Sequence, residues 1–356
     1  MKNQISKRIV FVEIGRFPKH LRLNILRIKN LFPDVEIHFL TDQINHRRCD
    51  SLPAQIHRIE EFAPLPDISN LSRYTNTGDL FWLHTIQRIF AFTRFHQKLP
   101  PGPLLHVESD VTLLKDFPWE KFFLRKKLMW GKYNLSHDVA SLLFSPHGSA
   151  SLKLEKSILK ELSQNLDHSD MTVLSSVARL LGEDFEYLPS FQNSNSKLIN
   201  ARSQIPTKLL REQFQLYDYF GGIFDHQIIG MYLDGLNPAN KYGIRENLFT
   251  STIETGESWI DPSSVTFTSN DEALQIQDDL AIPVFSIHVH SKKLGFFKGD
   301  ITKTLFLASE NASQKTKVVV FDLRVFVGLL WSNLRSRTFL QWTRHLAVFL
   351  KRRIFL

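Results

Sequence analysis

The chain has 356 residues, of which 43% are hydrophobic and 22% charged, so it can bury a core in one large domain or two closely packed ones. Its net charge is +8, but seven of its basic residues lie in residues 323–356, which contain no acidic residue. The remainder is therefore nearly neutral. This distribution argues against a nucleic-acid-binding body, which would require a basic face.

The cysteine content and the N-terminal residues indicate a cytoplasmic location. The single cysteine, Cys49, excludes an internal disulfide framework and fits a reducing compartment. The first apolar run stops at Val12, before Glu13, and is too short for the hydrophobic segment of a signal peptide.

The first forty residues predict a strand, a helix and a second strand. Residues 8–14 are apolar and rich in β-branched side chains, residues 20–31 place leucine and isoleucine at mostly helical spacing, and residues 35–40 are again apolar. A βαβ opening implies a parallel sheet covered on both faces. Residues 50–78, rich in proline, aspartate and serine, are expected to form a loop.

The next segment predicts a helix that leads to a buried strand and an acidic pair. Residues 79–98 carry a wide apolar stripe of helical period, which ends before the prolines of residues 100–103. Residues 104–107 then form a short apolar run that continues directly into Glu108 and Asp110.

The rest of the chain also alternates between short strands and helices. The predicted elements are strands at 141–144 and 284–290, helices at 149–162 and 171–181 (the latter capped by Gly182), an apolar segment at 224–233 and a polar linker at 308–316. Together these elements predict an α/β domain over residues 1–307.

Glu108 and Asp110 are the strongest candidates for chemistry. Two carboxylates two residues apart at the end of a buried strand can converge on one divalent cation, and oxygen ligands suit Mn²⁺ or Mg²⁺. The carboxyl ends of parallel strands are also where ligands bind. Such an ion would hold a diphosphate and neutralise the charge that builds on it as a leaving group. The alternative is a solvated acidic turn, because Glu-x-Asp is frequent by chance.

The motif in its context resembles the Asp-x-Asp element of GT-A-fold glycosyltransferases, among them bacterial polysaccharide and capsule enzymes. In that family a βαβ half ends in a buried strand before the acidic motif, and a preceding helix often carries an arginine; Arg88 has a comparable place here. The resemblance covers about residues 8–120. The chain departs from the family by carrying Glu108 in place of the first aspartate, whereas Asp110, the usual metal ligand, is present.

The resemblance implies a GT-A-like α/β fold, and the sequence adds a C-terminal helical tail to it. Residues 1–130 would bind a nucleotide-sugar donor, with Arg88 and Glu108 among the contacts, and residues 131–307 would shape the site for a glycan or lipid-linked acceptor. The implied activity is metal-dependent sugar transfer. The rival functions are a metal-dependent phosphoesterase and a non-catalytic scaffold associated with membranes.

A second pattern lies near the end of the predicted strand 284–290. His288 and His290 are two residues apart, so their side chains share one face of a strand. In the family a late histidine often completes the metal site and a nearby lysine binds the diphosphate. This implies His290, which is nearer the strand end, as the ligand and Lys292 as the diphosphate contact, with Lys298 as a competitor. Alternatively, one histidine is a core residue and the other is exposed.

Two further aspartates are candidates for the general base that would deprotonate an acceptor hydroxyl. Asp225 follows two glycines that allow close approach of a substrate, and it resembles acceptor-side segments of the family. Asp170 directly precedes the predicted helix 171–181. Either residue can instead be a helix N-cap, and the sequence leaves both interpretations open.

The tail, residues 317–356, predicts attachment to a membrane surface. Its apolar stretches are interrupted by charges before any is long enough to span a bilayer. A basic, aromatic and amphipathic segment suits an anionic lipid interface. The alternative is a helical pair that packs on the body of the protein.

Overall fold

The structure is a computed structural model that describes most of the chain. The described residues are 6–15, 17–49, 51–62, 64–68, 81–164, 169–199, 207–226, 228–234, 260–262, 265–270, 273–277, 281–298 and 301–316. The chain divides into two units, Met1–Gln314 and Lys315–Leu356. The predicted tail, 317–356, lies outside the described residues. Within them, no helix combines the length and the apolar character needed to cross a membrane.

The first unit is a mixed α/β structure, which confirms the predicted class. Its strands are β1 (Arg8–Glu13), β2 (Glu36–Thr41), β3 (Gln55–Arg58), β4 (Leu104–Val107), β5 (Val111–Leu113), β6 (Leu128–Lys132), β7 (Asp138–Ser145), β8 (Phe185–Tyr187), β9 (Ile223–Phe224), β10 (Thr266–Asn270), β11 (Ala273–Gln277) and β12 (Ala281–His288).

The helices fill the connections between these strands. They are α1 (Lys19–Leu31), α2 (Gln43–His46), α3 (Phe81–Lys98), α4 (Trp119–Phe123), α5 (Gly148–Gln164), α6 (Asp170–Leu181), α7 (Thr207–Phe214), α8 (Tyr217–Phe220), α9 (Ile228–Asp234) and α10 (Ile301–Thr316). Short 3₁₀ turns lie at Ile59–Phe62, Gly182–Asp184 and Leu294–Phe297.

Seven strands form the main sheet, in the order β3-β2-β1-β4-β7-β6-β8. The first four are parallel, and β7 runs antiparallel to both of its neighbours. Alternate residues of β1 enter different cores: Ile9 and Phe11 pack on one face of the sheet, and Val10 and Val12 on the other. Because helices cover both faces, the central strands are buried and mostly apolar, as the sequence predicts.

A smaller sheet meets the main sheet beside the acidic pair. Its strands are ordered β10-β11-β12-β5, and β9 also pairs with β12. Only Glu108, Ser109 and Asp110 separate β4 in the main sheet from β5 in the smaller one. Antiparallel pairing of β5 with β12 places Val111 opposite His288. The two motifs, far apart in sequence, therefore meet.

Three segments differ from the sequence-based predictions. The predicted loop 50–78 contains β3, an edge strand whose outer residues Gln55 and Arg58 are exposed, so its pattern is too polar to be recognised. The predicted linker 308–316 belongs to α10. The apolar segment 224–233 is divided between β9 and α9. The predicted cap of α6 is confirmed, since Gly182 ends that helix with a φ of 55°.

Candidate functional site

The turn that carries the acidic pair is fixed by α1. The buried side-chain amide of Asn24 donates to the carbonyl oxygens of Ser109, at 3.2 Å, and Val111, at 2.7 Å. The backbone N–H of Glu108 donates to the carbonyl of Ser141 in β7 at 3.0 Å. These bonds satisfy the turn's backbone at three points, so the carboxylates start from a rigid base.

His288, the last residue of β12, faces both carboxylates. Its Nε2 lies 3.3 Å from Oδ1 of Asp110 and 3.7 Å from Oε2 of Glu108. The backbone supports this approach, because the N–H of Val289 donates to the carbonyl of Asp110 at 2.8 Å. One ligand atom from each of Glu108, Asp110 and His288 lies within 4.8 Å of the others.

The hydrogen bond of the other ring nitrogen of His288, Nδ1, determines the tautomer of the neutral ring and so the state of Nε2, which faces the carboxylates. Its Nδ1 lies 2.7 Å from the carbonyl oxygen of His226, and a carbonyl can only accept, so Nδ1 carries a proton. In the neutral ring the lone pair is then on Nε2, the atom that faces Glu108 and Asp110. A backbone carbonyl of this kind commonly fixes the tautomer of metal-binding histidines.

Two cations flank the acidic pair. Nη2 of Arg88 lies 3.7 Å from Oε1 of Glu108, and Nζ of Lys292 lies 3.1 Å from Oδ2 of Asp110. His288 lies near both acids, Arg88 near Glu108 and Lys292 near Asp110, so each carboxylate has two positive or potentially positive neighbours. Lys292 has a φ of 55°, a left-handed conformation that is unfavourable for a side chain of this size and that concentrates at functional sites.

The protonation states of the central pair follow from their proximity. Burial alone would raise the pKa of Asp110, but Lys292 and His288 hold it well below its ordinary value. Burial alone would lower the pKa of His288, but the Asp110 carboxylate, and to a smaller extent Glu108, raises it to about 9. At neutral pH the pair is therefore an ionised carboxylate and an imidazolium.

Glu13 is a member of the site that sequence reasoning missed. It is the buried last residue of β1, and burial raises the pKa of its carboxyl group. Arg88, a hydrogen bond with Ser109 and the charge of Lys292 act in the opposite direction. A usable signal was present: an acidic residue that closes an apolar parallel strand lies at the edge of the sheet where ligands bind.

His290 lies next to His288 and near enough to Asp110 for each side chain to influence the pKa of the other. Its ring stacks on that of His288 with centroids 4.1 Å apart, and its buried Nε2 has no hydrogen-bond partner among the described residues. The sequence favoured His290 as the metal ligand because it is nearer the predicted strand end. The strand stops at His288, however, and the chain turns there, so strand alternation does not extend to His290.

Asp170 adjoins the site from the first turn of α6. Ser169 caps that helix through a reciprocal hydrogen-bond pair with Thr172, so Asp170 is not the cap. Burial and the nearby charge of Glu108 raise the pKa of Asp170 to about 6, although Arg88 opposes the shift. Its Oδ1 is buried and makes no hydrogen bond within the part of the chain that the structure describes.

The two remaining candidates occupy other places. Asp225 is buried, and its carboxylate accepts hydrogen bonds from the backbone N–H groups of Ile229, Gly230 and His288. Lys298 is exposed at the end of the 3₁₀ turn Leu294–Phe297, and none of the ion pairs found among the described residues of the site includes it.

The donor set matches a divalent cation that accepts oxygen and nitrogen ligands. Two carboxylates and one imidazole converge, and the hydrogen bond to His226 leaves Nε2 of neutral His288 as a donor atom. Binding would require His288 to lose the Nε2 proton that its high pKa retains at neutral pH. The residues present therefore fit such an ion.

Comparison with known proteins gives structural likenesses only. No family model and no curated protein matches the sequence. Solved structures of GT-A glycosyltransferases, the family that the acidic motif resembles, are among those matched. With galactosyltransferase LgtC in complex with donor and acceptor sugar analogs, the identity is 13% and the TM-score 0.38, over 58% of this chain and 82% of that one.

Two further structures are matched at lower scores. The apo form of the glycosyltransferase GlyE from Streptococcus pneumoniae TIGR4 has 12% identity and a TM-score of 0.35, over 52% of this chain and 46% of that one. PaToxG glycosyltransferase has 11% identity and a TM-score of 0.31, over 50% and 68%. At these scores the functional proposal has to rest on the site itself.

Replacement of Asp110 should change the titration of His288. In Asp110→Asn the negative charge that favours the imidazolium is lost, so the pKa of His288 should fall from about 9 to about 6.5 or lower. NMR titration of the histidine rings in the metal-free protein measures this. His96, whose pKa burial lowers to about 4, serves as an internal control. An unchanged His288 pKa in the folded variant would contradict the pairing.

Proposed function

We propose that the chain is a glycosyltransferase that transfers a sugar from a nucleotide-sugar donor to a glycan or lipid-linked acceptor and depends on Mn²⁺ or Mg²⁺. The observation that carries the proposal is the convergence of Glu108 and Asp110, which follow the carboxyl end of the parallel strand β4, with His288 at the end of β12. In this proposal residues 1–130 bind the donor and residues 131–307 shape the acceptor side.

The proposed metal ligands are Asp110 and His288, with Glu108 as a third ligand or a contact to the donor. When bound, the ion supplies positive charge that stabilises the departing nucleoside diphosphate. We propose His288 as the ligand in place of His290, because among the described residues His288 is the histidine whose ligand atom groups with those of both acids. The stacked ring of His290 then borders the site and supports the orientation of His288.

Arg88 and Lys292 are the proposed contacts to the donor phosphates. Each is held beside one carboxylate of the pair, so positive charge flanks the ion site on both sides. Glu13 helps to keep both cations charged, because its carboxylate acts on Arg88 and on Lys292. Lys298 is a weaker candidate because it is exposed at the end of its turn.

Asp170 is the proposed general base for the acceptor hydroxyl. A carboxyl group with a pKa of about 6 is mostly ionised at neutral pH and still basic enough to accept a proton in a transition state. Its Oδ1 makes no hydrogen bond to any residue that the structure describes. Asp225 is less suited to this role, because three backbone N–H groups already bond to its carboxylate.

Loss of the central carboxylate should damage transfer more than folding. Asp110→Asn keeps the shape of the side chain and removes its charge, so sugar transfer should fall by about a hundredfold or more, the scale of losing one electrostatic stabiliser. Glu108→Gln should be milder. A thermal-shift screen of UDP-, GDP-, CMP- and dTDP-sugars with and without Mn²⁺ first identifies the donor.

The matched control is Asp184→Asn, which removes an exposed carboxylate that pairs only at the surface with Lys153. It should transfer sugar like the wild type, and circular dichroism should show all three variants folded. Near-normal, metal-independent transfer by Asp110→Asn would remove the metal from the proposal. Donor hydrolysis that needs no acceptor would favour a phosphoesterase, and no donor binding at all a scaffold.

The pH dependence of transfer tests Asp170. Because a base must be deprotonated, kcat/KM of the wild type should rise with pH through about 6 and then level off. Asp170→Asn should lose this rise and reduce transfer by a factor of about 10² to 10⁴. A folded Asp170→Asn enzyme that keeps the same rise would assign the titration to another group.

The tail is proposed to hold the enzyme at the cytoplasmic face of an anionic membrane, where a lipid-linked acceptor would be found. Full-length protein should sediment with vesicles that contain anionic lipid, and less so at high salt, because the attraction is electrostatic. A 1–316 truncation should stay in the supernatant. Equal solubility of the two proteins with the vesicles would refute this attachment.

A further inference from the structure

Asp225 joins two elements at the back of the candidate site. Its Oδ1 accepts the backbone N–H of Ile229 at 3.0 Å, and its Oδ2 accepts that of Gly230 at 2.8 Å, both in the first turn of α9. The same Oδ2 accepts the backbone N–H of His288, at the end of β12, at 3.1 Å. One carboxylate oxygen therefore links the start of a helix to the backbone of the histidine that faces the acidic pair.

Gly230 allows this close approach. A Cβ atom at that position would lie 1.8 Å from the carbonyl oxygen of His288, far inside van der Waals contact. The helix can therefore approach β12 closely only if this residue has no side chain. The backbone of His288 is thus confined on one side by a hydrogen bond to Asp225 and on another by the α9 backbone.

The neighbouring residue fixes the ring. The backbone N–H of Asp225 donates to the carbonyl of Ser286 in β12 at 3.1 Å, which continues the pairing of β9 with that strand. This pairing brings the carbonyl of His226 to Nδ1 of His288 at 2.7 Å. Backbone and ring of His288 are therefore both held by the two residues that follow β9.

We propose that Asp225 is a positioning residue that holds His288 with its Nε2 toward Glu108 and Asp110, and so sets the affinity of the site for a divalent cation. The link to cation affinity rests on the proposed function. Three backbone N–H groups supply the hydrogen bonds that a carboxylate with only 1% of its surface exposed needs. Both oxygens of Asp225 accept hydrogen bonds, which explains how an aspartate is tolerated at this buried position.

The test compares Asp225→Asn with Asp138→Asn. The asparagine at position 225 has one acceptor oxygen and an NH₂ group in place of the other, so it cannot accept all three bonds. Asp138 is a matched control, because it is also buried and it pairs with Lys132 and Trp130 through contacts that do not involve the site. Mn²⁺ binding to each full-length protein is measured by electron paramagnetic resonance.

Asp225→Asn should bind Mn²⁺ about ten to a hundred times more weakly, the usual effect of removing a group that orients a metal ligand. The ¹⁵N signals of the His288 ring should shift in the same variant without metal. Asp138→Asn should retain wild-type affinity and an unchanged His288 signal. Wild-type Mn²⁺ affinity in a folded Asp225→Asn protein, or equal weakening by both substitutions, would overturn the proposal.

Two further measurements apply if Asp225→Asn does not fold or if the wild type binds no Mn²⁺. If Asp225→Asn does not fold, Gly230→Ala tests the same junction from the helix side, and it should weaken Mn²⁺ binding as its methyl group displaces the His288 carbonyl. If the wild type binds no Mn²⁺, the proposed metal dependence fails. Hydrogen exchange of the His288 amide then still tests whether Asp225 holds the backbone of His288. Slow exchange supports it, and rapid exchange in the folded wild type refutes it.

Discussion

The ion pair between His288 and the two carboxylates Glu108 and Asp110 is the interaction on which the site depends. Removing a charge from water costs several kcal/mol, so buried acids are tolerated only with partners. Here the partners arrive from different parts of the chain: Arg88 from α3, His288 from β12 and Lys292 from the segment beyond it. The pairing of opposite charges at the site therefore depends on how α3, β12 and the segment after β12 pack together.

The acidic groups of the site outnumber its cationic groups. Four carboxylates, of Glu13, Glu108, Asp110 and Asp170, act on three cationic groups, of Arg88, His288 and Lys292. Burial is the largest cause of the raised pKa values of Glu13 and Asp170, and the nearby carboxylates of Asp110 and Glu108, respectively, add to it. A site rich in carboxyl groups with a convergent donor set is chemically suited to a further cation.

The fold and the central acids could be predicted from sequence because their signals are local. Apolar runs of β period and a helical stripe define β1, β2, β4 and α3, and an acidic pair after a buried strand is visible without any partner. Which histidine ring faces the acidic pair is not a local property of the sequence. It depends on where β12 ends and on its register with β5, which no feature within residues 284–290 reveals.

The roles of the aspartates were hidden for a similar reason. Asp170 and Asp225 look alike in sequence, since each stands near the start of a helix. Their difference lies in contacts across the fold: a backbone amide 63 residues away bonds to Asp225, whereas one oxygen of Asp170 has no bond among the described residues. In the sequence Glu13 only ends an apolar run, and its place in the site appears when that run is identified as a strand in a parallel sheet.

The crossing between the sheets is only three residues long. Val107 is paired in the main sheet and Val111 in the smaller one, so residues 108–110 are held at both ends. Glu108 is bonded to β7 of the main sheet, whereas the carbonyl of Asp110 accepts the N–H of Val289 and so holds Asp110 to the end of β12, beside His288. A displacement of a fraction of an ångström between the sheets would alter the electrostatics of the site directly. Movement of the smaller sheet against the main sheet would therefore change the distance between Glu108 and His288.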